Sequence, residues 1–180
     1  MLRKRCSAIA TLFALGFSAP AAASEKGWDD AGTIAKNALV VAAFAVPAVQ
    51  EDWDGALQAG GSIGGTILVT QGLKEIFPSR RPDGSDDRSF PSGHTSTSFA
   101  AAATLHNRYG WEAGLPAYVV ASFVGLSRVE ARKHRVGDVL VGAAIGTATG
   151  HLITRKANAR VQIVPWGDTK SAGIDMTLRF

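Results

Sequence analysis

Between Ala31 and Arg155 the chain is a series of apolar stretches of helical length joined by short connections, without the alternation of strand and helix that builds a parallel sheet. A core made from such segments has to be helix packed on helix. Five stretches are expected, at about 31–50, 55–77, 95–108, 112–127 and 136–155. Glycines recur four residues apart, at Gly60/Gly64, Gly61/Gly65 and Gly142/Gly146/Gly150. That spacing places them on one helix face, where a missing side chain lets a second helix come close.

The uninterrupted apolar runs Ala38 to Val49, Ala113 to Leu126 and Val139 to Gly150 fall short of the roughly 20 residues a bilayer span requires. They are expected to be buried core helices of a soluble bundle. The alternative is a membrane-embedded bundle with its site facing the periplasm, in which Lys36, Asn37 or Gln50 is tolerated near an interface. After the last helix the pattern changes: Val161, Ile163, Ile174, Met176, Leu178 and Phe180 alternate with polar residues around Trp166-Gly-Asp-Thr. This predicts a β-hairpin over 160–180 that covers the helical core. The fold class expected is therefore all-α, a compact bundle of about five core helices (31–155) with a C-terminal β-hairpin, in one domain spanning 24–180.

The first residues read differently. Arg3, Lys4 and Arg5 precede an apolar stretch from Ala8 to Ala19 and the small residues Ala21 to Ala23, the order of a secretory signal peptide over 1–23. Its removal lowers the formal charge of +4 to +1, too little for a general nucleic-acid binder. The single cysteine, Cys6, would leave with it, so neither disulfides nor thiolate metal sites are expected. With 46% hydrophobic and 19% charged residues, the remainder has the composition of a folded core rather than a disordered chain.

Three short segments concentrate the chemistry: Lys74 to Pro82, Pro91-Ser92-Gly93-His94, and Ser127 to Asp138. Pro91-Ser92-Gly93-His94 falls where a polar loop, Pro78 to Pro91, meets a helix. A helix N-terminus presents unpaired N–H groups and partial positive charge to an anion. Gly93 allows close backbone approach and Ser92 adds a hydroxyl, while Lys74, Arg81 and Arg128 can neutralise a phosphoryl group. Two histidines beside one anion suggest transfer rather than binding alone. His134 and Asp138 are four residues apart, so on a helix the carboxylate could accept the imidazole N–H and aim the other nitrogen at phosphorus. His134 is then the nucleophile, and His94 the general acid for the leaving group. Six residues separate Arg128 from His134, which predicts a turn between them. Arg80, Arg88, Arg132, Lys133 and Arg135, together with Asp83, Asp86 and Asp87, are expected to be solvated charges.

Lys-x6-Arg-Pro, Pro-Ser-Gly-His and Ser-Arg-x5-His-x3-Asp, here Lys74, Arg81, Pro82, Pro91 to His94, Ser127, Arg128, His134 and Asp138, resemble the three-part signature of the type 2 phosphatidic acid phosphatases. The bacterial acid phosphatases and vanadium haloperoxidases are related to them. The resemblance spans about 31–155 and implies a helical bundle and hydrolysis without metal or cofactor. The expected function is a phosphatase acting on phosphomonoester or diphosphate groups through a phosphohistidine. Exported to the periplasm, it would meet envelope lipids of the lipid A, undecaprenyl diphosphate or phosphatidylglycerol phosphate type, and it would contact the membrane surface. The alternatives are a non-specific phosphatase for soluble esters, a vanadate-dependent haloperoxidase and a non-enzymatic phosphate-binding protein.

Overall fold

The computed structural model of the chain describes residues 24–156, 161–167 and 171–178; the expected signal peptide lies outside them. Five helices follow one another: α1 (Glu25–Val49), α2 (Trp53–Ile76), α3 (Gly93–Tyr109), α4 (Trp111–Glu130) and α5 (Val136–Ile153). α1 begins six residues before its expected start at Ala31, because the Ser24 hydroxyl accepts the Gly27 N–H and caps it. Asp52 caps α2 in the same way through Gly55. Gly110 alone joins α3 to α4, with φ at +83°, a conformation that a side chain would oppose. The expected turn between Arg128 and His134 is present where α4 ends and α5 has yet to begin.

α3 is the axis of the bundle. It packs against each of the other four helices, which surround it in the order α4, α1, α2, α5. Its neighbours come close because the core is built largely from alanine, with Ala35, Ala43, Ala59, Ala100 to Ala103, Ala117 and Ala121 all buried. The glycine face of α5 completes the fit: a Cβ on Gly146 would fall on the Ser96 carbonyl oxygen, and one on Gly142 would lie 2.6 Å from the Ser92 carbonyl oxygen. Along α2 the glycines differ: a Cβ on Gly55 would strike Asp52, Arg108 and Tyr109, and those on Gly61 and Gly65 would lie 3.3 Å from Ile153. A Cβ at Gly64 would meet nothing, and one at Gly60 would make ordinary contact with Phe44.

A core this narrow takes in few larger side chains, Leu39, Ile63, Leu105 and Val124 among them, and many others point outward. Val49, Leu57, Leu68 and Leu152 are three-quarters or more exposed, and Val41, Leu115, Val119 and Leu140 more than half. The apolar runs expected to form a buried core are thus only partly buried. α1 and α5 are long and apolar enough to cross a membrane, yet only 33% and 22% of their apolar stretches are buried in the bundle. Small residues inside and large apolar ones outside is the arrangement of helices packed in lipid.

At one end of the bundle Arg108 of α3 ion-pairs with Asp52, which also accepts the Tyr109 hydroxyl at 2.7 Å. Beyond Lys156 the backbone of β1 (Val161–Gly167) and β2 (Ala172–Leu178) pairs antiparallel, Val161 opposite Leu178. The turn and side chains of the expected hairpin lie outside the described residues, so its contact with the helices stays an expectation.

Candidate active site

The opposite end of the bundle gathers the starts of α1, α3 and α5 with the ends of α2 and α4. A cavity of about 360 Å³ opens there. Lys74, in the last turn of α2, donates to the carbonyl oxygens of Arg88 (2.5 Å) and Pro91 (2.6 Å). It thereby ties the helix to both ends of the final stretch of loop. Burial, with Arg81 and Arg88 nearby, lowers its ammonium to about 8. Ser92 is the N-cap of α3: its backbone N–H donates to the Asp138 carbonyl at 2.9 Å, and its hydroxyl bonds with that of Thr95, also at 2.9 Å. Gly93 and His94, the first two residues of α3, face the cavity.

His134 precedes α5 instead of lying on it, and this changes its partner. Its Nδ1 is 2.7 Å from the Ser89 carbonyl oxygen and 3.9 Å from Asp138 Oδ2. The expected hydrogen bond to Asp138 is therefore replaced by one to the loop backbone, since the i,i+4 geometry of a helix does not reach back to a residue outside it. Asp138 acts one step further away: its Oδ2 accepts the Ser89 hydroxyl at 2.6 Å and the Arg135 N–H at 2.9 Å. With Nδ1–H donated to Ser89, the lone pair of the neutral ring is on Nε2. Burial above all, then Arg81 and Lys74, pushes His134 down to about 3 against the opposing pull of Ser89 and Asp138. His94 is lowered to about 4 by burial, then by Arg128 and Lys36. Its Nε2 is 3.2 Å from the Thr33 hydroxyl of α1.

Among the expected phosphate ligands, Lys74, Arg81 and Gly93 line the cavity with both histidines. Ser92 and Arg128 do not. The Ser92 hydroxyl is turned into its helix cap, and the Arg128 guanidinium is held at the start of α1, bonded to the Asp29 carboxylate at 2.5 Å and the Asp29 carbonyl at 2.7 Å. Gly32 makes that approach feasible, because a Cβ there would strike Ser127 and Arg128. Arg81 is paired with Asp86 at 2.6 Å.

The structure also brings in residues absent from the expected site. Arg88, expected to be solvated, lines the cavity and pairs with Glu75 at 2.6 Å. Lys36, Ile67, Thr70, Gln71, Ser96 and Thr97 complete the wall. Several charges expected to be solvated instead clamp the two loops together: Lys133 pairs with Asp83 at 2.6 Å, and Arg135 donates to the Arg80 carbonyl at 2.8 Å. Among the described residues no group of three or more His, Cys, Asp or Glu side chains is placed to hold a metal ion.

A family model described as the PAP2 superfamily matches residues 55–162. The lipid A 1-phosphatase of Porphyromonas gingivalis is 45% identical over 82 residues, 44% of this chain and 18% of that protein. The lipid A 4'-phosphatase of Helicobacter pylori is 34% identical over 104 residues, 49% of this chain and 52% of that protein. The chain thus spans about half or less of these relatives. Two solved structures share the fold at 22% identity. One is Aquifex aeolicus LpxE, with a TM-score of 0.63 over 79% of this chain and 92% of that one. The other is a transmembrane PAP2-type phosphatidylglycerolphosphate phosphatase from Bacillus subtilis, with a TM-score of 0.59 over 84% of this chain and 83% of that one.

Proposed function

This chain belongs to the PAP2 superfamily, and from that membership we propose that it is a phosphatase for a phosphorylated envelope lipid, working through a phosphohistidine on His134. The observation that carries the proposal is the cavity itself. Two imidazoles, one with its tautomer set by the Ser89 carbonyl, face Lys74, Arg81 and the start of α3 across one space.

The residues imply the following course. Phosphate lies against the N-terminus of α3, its charge met by Lys74 and Arg81. The Nε2 lone pair of His134 attacks phosphorus as the bond to the leaving oxygen breaks, and His94 supplies that oxygen with a proton. Water then attacks the phosphohistidine and gives its proton to His94, restoring both rings and releasing phosphate. Arg128 joins the phosphate by exchanging the Asp29 carboxylate for a phosphoryl oxygen, and Ser92 contributes by capping α3. No step requires a metal.

The lipid character of the substrate is supported by the apolar outer faces of the helices and by the relatives, two of which are named for action on lipid A. The bundle is seated in the membrane that holds its substrate, with the cavity end at the aqueous face. Residues 1–23 act as the export signal, and the domain runs from 24 to 180.

Phosphate release from a panel of lipid and soluble phosphates, measured in chelator with His134→Ala as the blank, tests this. Release from a lipid phosphate by the wild type, with an acid-labile phosphoenzyme missing from the variant, is the expected result. Full activity in His134→Ala overturns the mechanism, and turnover confined to soluble esters overturns the substrate class.

A further inference from the structure

α1 precedes residues 55–162, the part of the chain that the family model matches, yet it supplies one wall of the cavity. Thr33 reaches His94 Nε2. Lys36, three residues further along and so on the same face of α1, lines the cavity with His94. The other cations there already have partners: Lys74 has two carbonyl oxygens, Arg81 has Asp86, and Arg88 has Glu75 and Gln71. Lys36 is half-buried, and no hydrogen bond or ion pair engages its ammonium among the described residues. A half-buried cation without a partner is costly unless a ligand brings the counter-charge.

The side of the cavity is defined as well. Arg81 and Lys74 are the charges that bear most on His134, whereas Arg128 and Lys36 bear most on His94. Lys36 shares its face of α1 with Thr33, whose hydroxyl meets His94, and so belongs with the proposed proton donor, on the side where the leaving group departs.

We infer that Lys36 is a specificity-determining residue that pairs with a second anionic group on the leaving side of the scissile phosphate, as in a diphosphate. This rests on the phosphatase reading above. With a diphosphate, His134 attacks the terminal phosphorus, the bond from that phosphorus to the bridging oxygen breaks, and the departing phosphomonoester carries its charge against Lys36.

The test compares dodecyl diphosphate with dodecyl monophosphate on the full chain in detergent, in the wild type and in Lys36→Gln, Lys36→Met and Lys36→Arg. The ratio of kcat/KM for diphosphate over monophosphate should fall about tenfold or more in the Gln and Met variants and be largely kept in the Arg variant. A second arm measures calorimetric binding of inorganic pyrophosphate and inorganic phosphate to the same proteins carrying His134→Ala, which removes turnover. The protein with Lys36 intact should prefer pyrophosphate, and the Gln and Met variants should lose that preference. Unchanged ratios in the neutral variants, or no pyrophosphate preference with Lys36 intact, overturn the assignment. If the wild type hydrolyses neither lipid, the phosphatase reading fails while the binding arm still decides the role of Lys36.

Discussion

His134 and His94 share a cavity, yet the proposed phosphoryl transfer asks them to carry opposite protonation states. His134 must be neutral, a condition met above about 3, and His94 must be protonated, a condition met in the free protein only below about 4. Activity that depends on an acid falls as pH rises through its pKa. A phosphate dianion beside His94 stabilises the imidazolium and raises that pKa. The alkaline limb of kcat should therefore lie at higher pH than that of kcat/KM, and pH profiles of both would show coincident limbs if His94 were not the proton donor. A second expectation concerns Asp138, which bonds Ser89 while the Ser89 carbonyl holds His134. Asp138→Asn and Ser89→Ala should each lower kcat roughly tenfold or more, with the double variant losing little beyond either alone; additive losses in a double-mutant cycle would separate the two residues. Motif spacing made Lys74, Arg81, Gly93, His94 and His134 legible as cavity-lining residues: Lys74, Gly93 and His94 sit in the last or first turn of a helix, and Arg81 and His134 in the polar loops the sequence marks. Thr33 and Lys36 were hidden, since the Thr33 contact with His94 crosses 61 residues and nothing local announces it. The direct hydrogen bond expected between Asp138 and His134 fails for another reason: i,i+4 pairing needs both residues on one helix, and α5 starts at Val136, in keeping with its expected bounds of 136–155.

Among the helices, α3 and α5 depend on close backbone contact, whereas Gly60 and Gly64 of α2 take no part in one. Gly146→Val should destabilise the fold by about 1–3 kcal/mol through collision with Ser96. Gly64→Ala should leave stability unchanged or raise it by up to about 1 kcal/mol, because nothing stands where its Cβ would go. Thermal unfolding in detergent, followed by circular dichroism, separates the two cases. All three glycine runs look alike in sequence, and only the packing partner tells them apart. Helix number and approximate bounds were legible because polar loops interrupt the apolar pattern at Pro78 to Pro91 and near Arg132. The early start of α1 was not, since it rests on a single capping hydroxyl at Ser24.

For the molecule as a whole, the outward-facing apolar side chains set its solvent. After cell breakage the chain should sediment with membranes and be released by detergent but not by high salt. Recovery in the salt-soluble fraction would show that its apolar faces are covered by something other than lipid. Sequence periodicity could not reveal this arrangement, because α1 and α5 are apolar around most of their circumference and no polar stripe marks an outer side. The encirclement of α3 carries one more consequence, for how such a chain can change over generations. Outer positions such as Leu57, Val119 and Leu152 can drift among bulky apolar residues with little penalty. Ala100 to Ala103 and the glycines facing them admit almost no replacement, so the helix whose first turn lines the cavity should be the slowest part of the chain to diverge.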